Sequence, residues 1–322
     1  VVARRMLGAR PLMEGVGRCC FGGSCAETCF GVVYRIFIVV RTFLFSWWVY
    51  FLRAYGEWLR PERHCKVAII GDGLALGFGD WVTFYSKSSG MTRRFQKLLD
   101  LSQGTRSVRR PWRVFNRGHF AATSEEWNPS CPRRPRFHGF ILRPNASNLF
   151  DHAFGRGSIV ADAQVVVVVV GSMDCRVPKG HPGRTLAYTL EHVKALVDEL
   201  RARGKIVILC ELHDSRWPDD RAEQVGFIGT HHLKNTALLE YIRSHTDGCV
   251  TAGANFTHVD YHKHRHSDGV HFVSSGYDFA ASDMAVTLVN ACRKAEHLMA
   301  LNGGAGPAVV EAVVEAERKK ER

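Results

Sequence analysis

The sequence predicts an α/β fold: a doubly wound parallel sheet flanked by helices. Three observations point there. Six consecutive valines, Val165 to Val170, show no polar alternation, as a parallel strand covered on both faces requires. Thr185 to Arg203 carries apolar residues at Leu186, Leu190, Val193, Leu196, Val197 and Leu200, one stripe at helical spacing. Strand-like and helix-like segments alternate from residue 66 onward, the pattern of successive βαβ units.

In order, strands are expected near 66–70, 112–116, 164–170, 206–211 and 248–252, and helices near 91–102, 185–203, 229–245 and 274–300. Residues 103–140 are basic and irregular, with Arg106, Arg109, Arg110, Arg113, Arg117, Arg133, Arg134 and Arg136. Pro129, Pro132 and Pro135 oppose regular structure in its later half. This stretch reads as a long surface loop and an anion-facing one.

The chain divides into a Cys- and Arg-containing segment (1–29), a hydrophobic helix (30–60), the α/β domain (64–301) and a charged tail (302–322). From Ile36 to Leu52 only Arg41, Thr42 and Ser46 interrupt an aromatic-rich apolar run. As a helix it would span about 25 Å, the short end of a bilayer crossing. Trp47, Trp48 and Tyr50 would form an interfacial belt at one end. Burying Arg41 requires snorkelling or an acidic partner. A helix lying in the interface, or one buried against the domain, are the alternatives. A membrane-associated helix is the expectation.

Lys and Arg total 43 against 31 acids, a net charge of +12, and 46% of the 322 residues are hydrophobic. That composition supports a full core and excludes a disordered chain. The basic excess favours anionic partners. The basic residues lack interleaved aromatics and no nucleic-acid motif is present, so membrane lipids or other protein subunits are expected and nucleic acid is not. Before residue 27 the arginines Arg4, Arg5, Arg10 and Arg18 face a single acid, Glu14. That composition is similar to an organellar transit segment and points to the mitochondrial inner membrane.

Four clusters fall where ligands bind in an open α/β sheet, beyond the carboxyl ends of strands. The first strand runs into Gly71-Asp72-Gly73, the second into Asn116-Arg117-Gly118, and the third into Gly171-Ser172-Met173-Asp174. Asp268-Gly269-Val270-His271 precedes the last helix. Together these blocks resemble those of the SGNH (GDSL-type) hydrolases over about residues 64–300. The resemblance implies an SGNH/flavodoxin-like three-layer fold and ester hydrolysis. It also implies a Ser nucleophile in the first block, a Gly and an Asn lending N–H groups to the oxyanion in the second and third, and an Asp–His pair in the last. Gly71, Asp72, Gly118, Gly171, Asp174, Asp268 and His271 match. Gly73 stands in place of the nucleophilic Ser, and Met173 in place of the oxyanion Asn. Glycine offers no nucleophile. A thioether donates no hydrogen bond to an oxyanion, and loss of one such donor costs about 10²–10³ in rate.

The expectation is a degenerate site (Gly73, Gly118, Met173, Asp268, His271) in a catalytically inactive, membrane-anchored accessory subunit of a larger complex, with no cofactor. Alternatives are an esterase or acyltransferase with a displaced nucleophile such as Ser172 or Ser124, and a pocket that holds lipid. His258, His262, His264, His266 and His271 crowd one region without a metal-ligand spacing, so a solvated loop is expected there. Cys19, Cys20, Cys25 and Cys29 fit no standard zinc or iron–sulfur pattern.

Overall fold

The computed structural model describes residues 65–80, 90–132, 146–175, 185–212, 230–265 and 271–301, together with Val40, Leu44, Trp47, Trp48, Tyr50 and Phe51. Five parallel strands form one sheet in the order β2-β1-β3-β4-β5. They are β1 (Cys65–Gly71), β2 (Trp112–Asn116), β3 (Val165–Val169), β4 (Ile206–Leu209) and β5 (Val250–Ala252). The order reverses between β1 and β3, so their carboxyl ends flank the switch point where such sheets place a site. Val67 to Gly71 pair with Val165 to Val169 across that line.

Alternation along each strand sorts the chain into three layers. Cys65, Val67, Ile69, Val165, Val167 and Val169 face one core, packed by α2 (Gly90–Gly104), α7 (Ser274–Asp283) and α8 (Ala285–Leu301). Ala68, Ile70, Val166, Val168 and Val170 face the other, packed by α4 (Leu149–Phe154), α5 (Leu186–Ala202) and α6 (Thr230–Arg243). Val165 to Val168 are wholly buried. Each such side chain contributes roughly 1.5–3 kcal/mol relative to exposure, which explains the absence of polar alternation. On α5 the buried positions Val193, Leu196, Val197 and Leu200 are the inner part of the predicted stripe, while Leu186 at its start is exposed.

Two expectations change. The basic stretch 103–140 is not one surface loop. Besides β2 it contains α3 (Ser124–Trp127), whose Trp127 is buried in the second core and donates Nε1–H to Gly71 O (3.2 Å). Thr123 N–H and Oγ1–H both reach the Glu126 carboxylate, a local start signal for this short turn. Arg117 is buried too. Residues 133–145, with Arg133, Arg134 and Arg136, lie outside the described residues. The helix expected over 274–300 is two, α7 and α8, parted at Met284. α7 packs on α2 and α8 on β4, so the break separates two packing partners.

Among the described residues no helix is long and apolar enough to cross a membrane. Most of 30–60 lies outside them, as do Cys19, Cys20, Cys25, Cys29 and residues 302–322. The described part of that segment is helical at Val40, Leu44, Trp47, Trp48, Tyr50 and Phe51. Val40, Leu44, Trp47 and Phe51 are exposed, one apolar stripe at spacings of three and four, whereas Tyr50 is buried.

Candidate active site

β1 leaves the sheet through Gly71, at φ +144°. A Cβ there would lie 1.9 Å from Val169 O, so glycine alone allows β1 and β3 to stay this close. Asp72 then donates its N–H to Val169 O (3.2 Å) and caps the short helix α1 (Gly73–Leu76) by accepting from Leu74 N (2.9 Å). Its carboxyl is fully buried, and burial pushes it up to about 6. The Leu74 N–H, the charge of His271 and the Ser172 hydroxyl pull it back, while Asp174 pushes it up.

Gly73 faces His271. A Cβ built on Gly73 would lie 2.3 Å from His271 Nε2 and 3.0 Å from Cδ2. The imidazole thus occupies the volume that any side chain at 73 would fill. Phe78, at 4.5 Å between ring centroids, and Phe120, at 6.3 Å, lie against the ring. His271 is 8% exposed. Tyr277 donates its hydroxyl to Phe78 O (2.7 Å), and Arg94 ties α2 to Asp80 (2.6 Å) and Asp278 (2.5 Å). These bonds hold the 77–80 turn, and with it Phe78, against the last loop.

The second block packs rather than points. Gly118 donates its N–H to Asn116 Oδ1 (2.9 Å), and Asn116 Nδ2 donates to Leu76 O (3.1 Å). A Cβ on Gly118 would lie 2.2 Å from Leu76 N, so the glycine lets this loop lie directly on α1. Further along the loop, Ala121 adopts φ +55°, a conformation that favours glycine. In the third block a 3₁₀ turn spans Ser172–Cys175. The Ser172 hydroxyl is buried and bonds the Asp72 carboxylate. Asp174 Oδ2 accepts from Ser124 N (3.3 Å), fastening this turn to α3, and Met173 is half-buried. Ser124 is fully buried and its Oγ has no hydrogen-bond partner among the described residues.

Three strand-end blocks and His271 of the fourth block, read along the sequence as separate signals, therefore meet at the β1–β3 switch point of a 2-1-3-4-5 sheet. The parallel sheet with helices on both faces is the α/β architecture that the sequence predicts. The sequence matches no family model and no curated protein. Several solved structures are similar to it. A GDSL-like lipase from Bacteroides thetaiotaomicron is 15% identical, with a TM-score of 0.46 over 75% of this chain and 98% of that chain. An acetyl-xylooligosaccharide esterase from Geobacillus is also 15% identical, with a TM-score of 0.47 over 69% and 93%. An esterase from Pseudoalteromonas, again 15% identical, has a TM-score of 0.43 over 69% and 96%.

Within this site the structure joins Gly73 to His271, Asp72 to Ser172 and Asp174, and Asp174 to Ser124. It sets Gly118 against α1 with its N–H engaged. Asp268 and His266 lie outside the described residues. No group of three or more His, Cys, Asp or Glu suited to a metal occurs among the described residues. His264 bonds Ser275 Oγ (2.9 Å) and His258 pairs with Asp260 (3.3 Å), two separate local contacts. Sequence reasoning missed the aromatic walls. Phe78 follows a glycine and Phe120 follows His119, with no spacing to mark either. It also missed Tyr50, whose ring lies 5.7 Å from His119 and whose hydroxyl accepts from Phe120 N (3.4 Å). The apolar run did signal that this helix needed a partner, but not which one.

Chemically the site offers a buried imidazole beside a carboxyl that titrates near pH 6, which suffices for proton exchange. It offers no hydroxyl or thiol at residue 73. The Ser172 hydroxyl is committed to Asp72, and that of Ser124 is sealed from solvent.

Proposed function

We propose that this chain is a non-hydrolytic SGNH-like protein, held at a membrane by its N-terminal segment and serving as an accessory subunit of a larger assembly. One observation carries the reading: His271 Nε2 lies 2.3 Å from where a Cβ at 73 would stand. The space of a nucleophile is not merely vacated but refilled by the base. Without an activated hydroxyl and with Met173 in place of a donor, acyl transfer loses both its attacking group and part of its oxyanion stabilisation. Tyr50 supports the same reading, because this residue of the N-terminal segment packs on the loop that carries Phe120. The exposed stripe of Val40, Leu44, Trp47 and Phe51 is apolar surface suited to a bilayer or a neighbouring subunit. The Arg-rich, acid-poor composition before residue 27 favours the mitochondrial inner membrane as the setting.

The test is fluorophosphonate labelling and short-chain ester hydrolysis by the full chain, with Gly73→Ser and His271→Ala beside it. Neither labelling nor turnover is expected from the native protein. Gly73→Ser alone is expected to stay silent as well, since the serine meets a ring already wedged between Phe78 and Phe120. Labelling of the native chain that His271→Ala abolishes would establish a displaced nucleophile and end the proposal.

A further inference from the structure

The opposite end of the sheet carries a different feature. Between the loop that enters β2 and the outer face of α8 lies an open cavity of about 770 Å³, lined by Arg106, Arg109, Arg110, Arg293, Lys294 and Glu296 among others. It borders the amino end of β2, away from Gly73 and His271. Five cationic side chains face one carboxylate, and that carboxylate is already engaged. Glu296 accepts from Arg109 N (3.0 Å), Arg110 N (2.8 Å) and Trp112 Nε1 (2.9 Å). Among the described residues no carboxylate pairs with Arg106, Arg109 or Arg293.

Two features argue against an idle charged surface. Cations near a helix's carboxyl end can serve its dipole, but that effect fades within the last turn. Arg293 and Lys294 stand about two turns inside α8, and Arg109 and Arg110 are on a loop. The second feature is Arg106 itself. α2 closes with Ser107 N donating to Ser102 O (2.8 Å) and Arg106 N to Gln103 O (3.0 Å), which puts Arg106 at the left-handed residue, φ +59°, of a Schellman turn. Glycine is the favoured residue there. A β-carbon at this angle is strained, and such strain gathers where a side chain has work to do.

We propose that this cavity binds the clustered phosphates of a polyphosphorylated ligand, gripped by Arg106, Arg109 and Arg293. Guanidinium forks match phosphate oxygens two at a time, and the surplus of positive charge calls for several negative charges close together rather than a lone carboxylate. No Phe, Tyr or Trp lines the cavity, so it offers no stacking platform for nucleic-acid bases. The phosphates could belong to a free small molecule or to a lipid headgroup. The inference is independent of whether the Gly73 site is silent.

The test uses the full chain in two arms: calorimetric titration with inorganic tripolyphosphate, and flotation with phosphatidylcholine vesicles with or without phosphatidylinositol bisphosphate. Variants are Arg106→Gly and the pair Arg109→Gln with Arg293→Gln. The control pair, Arg93→Gln with Arg243→Gln, removes equal charge from exposed helix positions elsewhere. Saturable binding is expected, weakened roughly tenfold or more by each cavity variant and unchanged by the control pair. Arg106→Gly is also expected to raise the Tm, because glycine relieves the turn, so its lost binding is not lost folding. Binding in both arms marks phosphate chemistry open to free ligands, and binding in the vesicle arm alone marks a headgroup. Absence of binding in both arms overturns the proposal. So does equal weakening by the control pair, or full binding by Arg106→Gly.

Discussion

The two ends of the sheet are built on opposite principles. At the carboxyl end, glycines let backbones touch: Gly71 lies on β3 and Gly118 on α1, and His271 has moved into the space beside Gly73. That end is closed and walled by aromatic rings. At the amino end an arginine occupies a position suited to glycine, and among the described residues no carboxylate pairs with Arg106, Arg109 or Arg293 around an open cavity. Close packing has filled the first region, whereas the second keeps unpaired charge at a cost in stability. The open cavity lies at the end that the sequence motifs do not mark.

The comparison can be broken at its tightest point. Gly118→Ala drives a Cβ to 2.2 Å from Leu76 N and 2.6 Å from Ala75 C, backbone atoms that cannot rotate away. It is expected to cost about 3 kcal/mol or more, read by urea unfolding. A loss below about 1 kcal/mol would mean that the carboxyl end is looser than described.

Asp72 sharpens the comparison through pH. Its folded pKa of about 6 exceeds the ordinary 3.8, so the native state holds this proton more tightly than the unfolded chain. Its stabilisation is therefore complete below about pH 4 and is lost as pH rises through 6. The stability of the native protein relative to Asp72→Asn should fall across that window by up to about 3 kcal/mol. Asparagine keeps the acceptor for Leu74 N, so a flat difference from pH 4 to 7 would show that the carboxyl is not desolvated.

Gly73→Ala probes the refilled space with a smaller effect. Its Cβ meets a side chain rather than backbone, and a cost of about 1–2 kcal/mol is expected as the imidazole is pushed toward Phe78 and Phe120. A histidine ring resonance that is unchanged by Gly73→Ala would place the imidazole elsewhere. The smallest effect is at the other end and has the opposite sign. Arg106→Gly should gain about 0.5–1 kcal/mol, measured as a Tm rise of a few degrees.

Legibility followed the range of the interaction. The strands β1, β3 and β4 stand where continuous apolar runs put them, because burial on both faces leaves a continuous record in the chain. The short helices α1, α3 and α4 left weaker traces. α3 hid in a basic stretch, and the burial of its Trp127 depends on the second core rather than on local propensity. The split at Met284 left no trace at all, since it answers to two different packing partners. At the site, Gly73 and Met173 were legible as departures from a pattern, but the use of the Gly118 N–H by Asn116 and of the Ser172 hydroxyl by Asp72 was not.

By itself, then, the sequence determined the layers, the parallel sheet and the residue types at the switch point, because side-chain period and strand-end glycines are local properties. Tertiary structure alone decided that His271 fills the space beside Gly73, that Tyr50 reaches the loop of Phe120, and that Arg106 and Arg293 share a cavity. Each of these joins residues far apart in the chain, and van der Waals contact and unpaired charge exist only between groups that folding has brought together.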